Sequence, residues 1–126
     1  MHRIAWILQI LLGIYFVAIG VLHFVVPEGL PEAMAWMYDL PQWVHVVSGT
    51  AEILGGLGLI LPGLARIRPG LTPLAASGLV IVMLGAATWH ATRAEFDSIA
   101  GNLIAAALLV FVAWVRWRKH PLPARE

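Results

Sequence analysis

Apolar residues run through this chain in four long blocks separated by short polar connections. The blocks are Ile4–Val26, Trp43–Leu61, Leu71–Ala91 and Ile99–Trp117. Each is close to the roughly 20 residues that a helix needs to cross a hydrocarbon core about 30 Å thick. Proline and glycine mark the breaks: Pro27 and Pro41 around the first connection, Pro62-Gly63 and Pro69-Gly70 around the second. Proline ends a helix because it lacks an N–H and crowds the preceding turn. The pattern predicts an all-α membrane protein, a single four-helix transmembrane bundle over residues 1–126. The first connection is longer than a turn. Pro31 suits a first helical position, and Ala33, Trp36, Met37 and Leu40 share one face. A short helix on the outer membrane surface, or capping the bundle, is expected there. The tail from Pro121 to Glu126 is expected to fray.

Tryptophans support these boundaries. Trp6, Trp114 and Trp117 fall at one set of helix ends, Trp43 and Trp89 at the other, and Trp36 in the long connection. Indoles favour the membrane–water interface. The basic residues give direction. Arg3, Arg66, Arg68, Arg116, Arg118, Lys119 and Arg125 fall on one side and only Arg93 on the other. Cytoplasmic loops carry the excess of Lys and Arg, so both termini are expected in the cytoplasm, with the chain multi-pass in the membrane. The first apolar run is too long, and too bulky at its end, for a cleaved signal peptide.

Composition agrees: 60 % of the chain is hydrophobic and 12 % charged. So few charges do not cover a water-soluble surface, and lipid must be the solvent for the remainder. The net charge of +1 gives no nucleic-acid surface. With no cysteine in the chain, disulfides, thiolate metal sites and iron–sulfur clusters carried by it are excluded.

Polar residues inside the spans carry the candidate chemistry. His45, Ser48, Gly49, Glu52 and Gly56 share one face of the second helix. Glu52 lies about 13–14 Å along the axis from Trp43 at 1.5 Å per residue, near mid-bilayer. A carboxylate there costs several kcal/mol unless protonated, paired or hydrated, so it must face the bundle interior. His23, in line with Gly20, Phe16, Gly13 and Gln9, closes the first helix. His90 closes the third, Arg93 follows, and Asn102 lies one turn into the fourth. His23, His45, His90 and Asn102 are expected to converge in the outer half, above Glu52. Gln9 stands alone in an otherwise apolar inner half. The glycines (Gly13, Gly20, Gly49, Gly55, Gly56, Gly58, Gly78 and Gly85) permit close helix packing.

Each feature has a plain structural reading beside the functional one. Glu52 can be a protonated hydrogen-bonding link between helices. The histidines can be ordinary hydrogen-bonded side chains, or a metal site of His23, His45 and His90, since imidazole suits Zn, Cu and Fe. Arg93, Glu95 and Asp97 can be a solvated loop, or Arg93 can fold back onto Glu52 or a ligand.

The run Gly20-Val21-Leu22-His23-Phe24-Val25-Val26-Pro27, the stretch Ser48-Gly49-Thr50-Ala51-Glu52-Ile53-Leu54-Gly55-Gly56-Leu57-Gly58 and the segment Ala87-Thr88-Trp89-His90-Ala91-Thr92-Arg93-Ala94-Glu95 together resemble the DoxX and DoxX-like family of small bacterial membrane proteins. The resemblance spans nearly the whole chain. It implies a link to terminal-oxidase, thiosulfate:quinone oxidoreductase or oxidative-stress complexes, and carries no list of catalytic residues. Three functions follow. One is a redox-associated membrane protein binding a quinone or other small amphiphile in an outer-leaflet polar site, with Glu52 and a histidine handling protons. Another is a non-enzymatic scaffold or accessory subunit that docks a partner redox subunit or further copies of itself. The third is a transporter or proton pathway, which the apolar inner half disfavours.

Overall fold

A computed structural model describes residues 1–125. Four long helices account for most of it: α1 (His2–Val25), α2 (Gln42–Ala65), α3 (Leu71–Thr92) and α4 (Phe96–Trp114), the last continued by one π-helical turn over Val115–Lys119. All four are long and apolar enough to cross a membrane. Large apolar side chains such as Ile7, Leu11, Ile14, Leu54, Ile81 and Ile104 point outward. That arrangement is stable only where lipid replaces water.

The chain runs up and down, so α1 packs on α2, α2 on α3 and α3 on α4, while α1 and α4 touch far less. One end of the bundle holds both termini and the Arg66–Gly70 connection; it is called the terminal end below. The other, the distal end, holds the connections after α1 and α3. Phe16, Leu59, Leu79, Leu109 and Val112 fill the core between them.

Backbone chemistry explains the helix ends. Val26 adopts a left-handed conformation (φ 34°) and its N–H caps the Leu22 carbonyl just before Pro27. Pro62 was expected to end the second helix, yet α2 runs through it to Ala65. A proline removes the hydrogen bond to the carbonyl four residues back, which is Gly58. In lipid that carbonyl needs a partner, and the Thr72 hydroxyl donates to it at 3.0 Å. Gln9 Nε2 donates to the next carbonyl, Leu59 O, at 2.8 Å. The α3 side chain thus replaces the bond that Pro62 removes, and the α1 side chain adds a second donor at the neighbouring carbonyl.

The α1–α2 seam is built on glycine. A Cβ on Gly56 would lie 2.7 Å from the Gly13 carbonyl oxygen, and one on Gly20 would lie 2.8 Å from the Gly49 carbonyl oxygen. The two backbones are therefore in contact at two levels. Gly55 meets Leu79 and Gly58 meets Ala75 on the α3 side. Gly78 and Gly85 were expected to serve packing too, but a Cβ on either meets nothing within 4 Å. They lie on the outward face of α3.

Residues Glu32–Asp39 form a short 3₁₀ helix at the distal end, with Met37 buried and Trp36 half-buried. Tyr38 pins the connection by donating to Pro27 O at 2.7 Å and accepting from the Leu30 N–H at 3.1 Å. The tail after the π turn does not fray as expected over its described part. Leu122 is buried, and the Arg125 N–H donates to Arg66 O at 2.7 Å. Glu126 lies outside the described residues.

Candidate functional site

The polar residues singled out from the sequence divide into two groups rather than one. The first lies on the α1–α2 seam, where the glycines bring the helix faces together. His23 is 4 % exposed, His45 9 % and Glu52 4 %. His23 Nδ1 and His45 Nδ1 stand 2.9 Å apart, and His23 Nε2 stands 3.5 Å from Glu52 Oε2. Glu52 Oε2 is buried without a hydrogen-bond partner. Ser48, on the same face of α2, is half-buried, and no side-chain hydrogen bond holds it.

The second group lies beside Trp36, whose ring centroid is 6.2 Å from that of His23 and 5.2 Å from that of His90. The indole neighbours both histidines. The expected convergence of His23, His45 and His90 on a metal is therefore replaced by a pair and a single residue. Among the described residues no three His, Asp or Glu side chains are grouped to hold a metal ion.

His90 and Asn102 instead line an open cleft of about 860 Å³ between α1, α4 and the 3₁₀ helix. Tyr15, Ile19, Met34 and Trp36 contribute to the same wall, and Glu32, Glu95 and Asp97 are its acidic members. The cleft exists because α1 and α4 are not packed along their full length. Asn102 Nδ2 is buried with no hydrogen-bond partner. A buried amide donor left unmade costs about 1–3 kcal/mol, so a ligand acceptor is the natural complement. His90 Nδ1 is tied to Glu95 Oε1 at 3.1 Å, which leaves Nε2 for a ligand.

Arg93 does not fold back onto Glu52. Its guanidinium bonds Asp39 and, at 2.8 Å, Glu95, and lies 4.7 Å from the Trp89 ring centroid. The arginine ties the connection after α3 to the one after α1 across the mouth of the bundle. The hydrogen bond from Arg93 holds the Glu95 carboxyl below the ordinary carboxylate value, and Glu95 in turn holds Arg93 above its own. A carboxylate lowered in the folded state contributes stability above its unfolded pKa and loses it as pH falls through the folded one. Arg93→Gln is thus expected to lower Tm at neutral pH. The gap from the unmutated chain should close on acidification below about pH 4. A constant gap across that titration would show that the ion pair contributes nothing to stability.

At the terminal end, the half expected from the sequence to be apolar except for Gln9 holds a further buried polar residue. Arg116, read from sequence as one of the interfacial cations, is 2 % exposed. Its Nε donates to Gln9 Oε1 at 2.6 Å, and its Nη1 donates to His120 O at 2.9 Å and to His2 Nδ1 at 3.0 Å. Trp6 lies 5.5 Å from the guanidinium. Arg116 is reachable from sequence in hindsight, since Leu109, Val112, Ala113 and Arg116 fall on one helical face. Tyr15 and Asp39 gave no comparable signal.

A model of the DoxX-like family matches residues 7–112 of the chain. No curated protein and no solved structure matches it.

Proposed function

The chain belongs to the DoxX-like family, and from that premise we propose that this integral membrane protein is redox-associated and binds a quinone or similar small amphiphile in the distal cleft. The carrying observation is the unpartnered Asn102 Nδ2 buried on the wall of that cleft. A ring held between Tyr15 and Trp36 would present a carbonyl oxygen to the Asn102 amide, with His90 Nε2 as a second polar contact. The apolar tail of such a ligand would leave sideways, between α1 and α4, where the bundle is open to lipid. Small-molecule sites are of this kind, mostly apolar with a few converging polar groups.

The excess of basic residues at the terminal end supports a cytoplasmic location for that end under the positive-inside rule. The cleft then opens to the outer leaflet of a bacterial plasma membrane. No catalytic residue is assigned, and the reading requires a partner redox subunit for turnover.

The test is ligand extraction and direct titration. Purified protein should carry co-extracted quinone and bind added ubiquinone analogue in lipid nanodiscs. Asn102→Leu removes one neutral hydrogen bond, so the Kd should rise by about 3–10-fold, with helix content unchanged. Absence of both co-extracted quinone and binding would sink the reading in favour of a non-enzymatic accessory subunit.

A further inference from the structure

We propose that His45 and His23 form a one-sided proton relay that loads and unloads Glu52 from the distal end of the bundle. The three side chains lie in contact along the α1–α2 seam, at 2.9 Å between the two Nδ1 atoms and 3.5 Å from His23 Nε2 to the carboxylate. Relay contacts of this length shorten when a proton is in transit. His45 is the most exposed of the three, and both histidines lie within one turn of the distal ends of their helices. Glu52 lies near the middle of α2.

The tautomers follow from the two contacts. With Glu52 ionised, His23 carries its proton on Nε2, facing the carboxylate. Its Nδ1 must then accept, so His45 Nδ1–H donates. With Glu52 protonated, the carboxyl donates to His23 Nε2, His23 Nδ1–H donates to His45 Nδ1, and His45 carries its proton on Nε2. The two states differ by one proton, and each sets a donor against an acceptor at both contacts. A proton arriving at His45 Nε2 interconverts them. The His45 Nδ1–H bond breaks as the His23 Nδ1–H bond forms; the His23 Nε2–H bond then breaks as the Glu52 O–H bond forms. Both rings end neutral and Glu52 ends as a carboxylic acid. Release runs the same steps backwards, with no ring flip.

The relay stops at Glu52. Towards the terminal end the next buried polar groups are Thr72 and Gln9, which bond Gly58 O and Leu59 O. Leu59 lies seven residues along α2, about 10 Å at 1.5 Å per residue. Buried Leu12, Phe16 and Leu59 occupy that interval. Few other charges face the seam. Tyr15 of α1 is the further titratable group near Glu52, while His90 and Arg93 are both bonded to Glu95 at the end of α3. The device stores a proton in mid-membrane in equilibrium with one aqueous phase, and does not conduct across the bilayer. It needs no ligand in the cleft.

Infrared difference spectroscopy on the full chain in phosphatidylcholine vesicles, without added quinone, tests this. A rapid drop from about pH 8 to about pH 5, the range in which imidazole titrates, should raise a carboxylic-acid C=O band. Its absence in Glu52→Gln assigns the band. In His45→Phe the band should grow about 10²-fold more slowly, the lower end of what a positioned proton-transfer group contributes, and imidazole added to the buffer should restore the rate. His45→Gln serves the same purpose if the phenylalanine variant fails to fold. An unchanged rate in the histidine variant, a slow rate that imidazole does not restore, or no Glu52 band at all would overturn the relay. None of these outcomes bears on quinone binding in the cleft.

Discussion

Replacing Gln9 by leucine is expected to lower the stability of the bundle by about 3 kcal/mol, chiefly from a buried guanidinium that loses its acceptor. Arg116 Nε loses its acceptor and Leu59 O loses its side-chain donor. The first is the more damaging, because a hydrogen bond to a charged group contributes about 1.5–3 kcal/mol and the guanidinium stays buried when the partner goes. Among the described residues Arg116 has no carboxylate in contact, so Gln9, His2 Nδ1 and the His120 carbonyl are what hold the charge in place. The double variant Gln9→Leu/Arg116→Leu should recover part of the loss, since the charge is then removed with its acceptor. Unfolding by SDS titration in mixed micelles, followed by circular dichroism, measures both. Equal losses in the single and double variants would show that the guanidinium escapes to the interface instead of staying buried.

The second large effect is expected at the glycine seam. Gly56→Val should cost at least about 3 kcal/mol, beyond the usual range for an inserted methyl group. Its Cβ would meet backbone, the Gly13 carbonyl oxygen at 2.7 Å and the Val17 nitrogen at 3.0 Å, and backbone cannot rotate away as a side chain can. Separating α1 from α2 to make room also pulls His23 away from His45 and Glu52. Gly78→Ala and Gly85→Ala are the controls, because their Cβ atoms meet open space. These substitutions should be neutral or should stabilise by up to about 1 kcal/mol through helix propensity alone. Similar losses at Gly56 and Gly78 would show that glycine content, not the seam, sets stability.

The glycines show how far sequence reasoning reaches. All eight had the same apparent purpose, and Gly13, Gly20, Gly49 and Gly56 do bring two backbones together. Gly78 and Gly85 do not, because a helix presents a small residue to whatever stands opposite, and only the packing of neighbours says what that is. Pro62 is similar. Read locally it ends a helix; in the bundle the Thr72 hydroxyl satisfies the carbonyl it orphans, and α2 continues to Ala65.

Four spans, their breaks at Pro27 and Pro41, the placement of Glu52 on an inward face and the family itself were all determined by the sequence alone. Each rests on local quantities: run length against bilayer thickness, helical spacing, and the cost of a bare carboxylate in hydrocarbon. The expected gathering of His23, His45, His90 and Asn102 was not local. It depended on which helix stands beside which, and on where Trp36 packs against the histidines. Tertiary structure decided that His23 and His45 join Glu52 on one seam while His90 and Asn102 face a separate cleft. It also decided that Arg116, one arginine among several at a helix end, turns inward to Gln9. The physical reason is the same in each case: a polar group inside a membrane takes the nearest partner that packing offers it, and that partner sits on another helix.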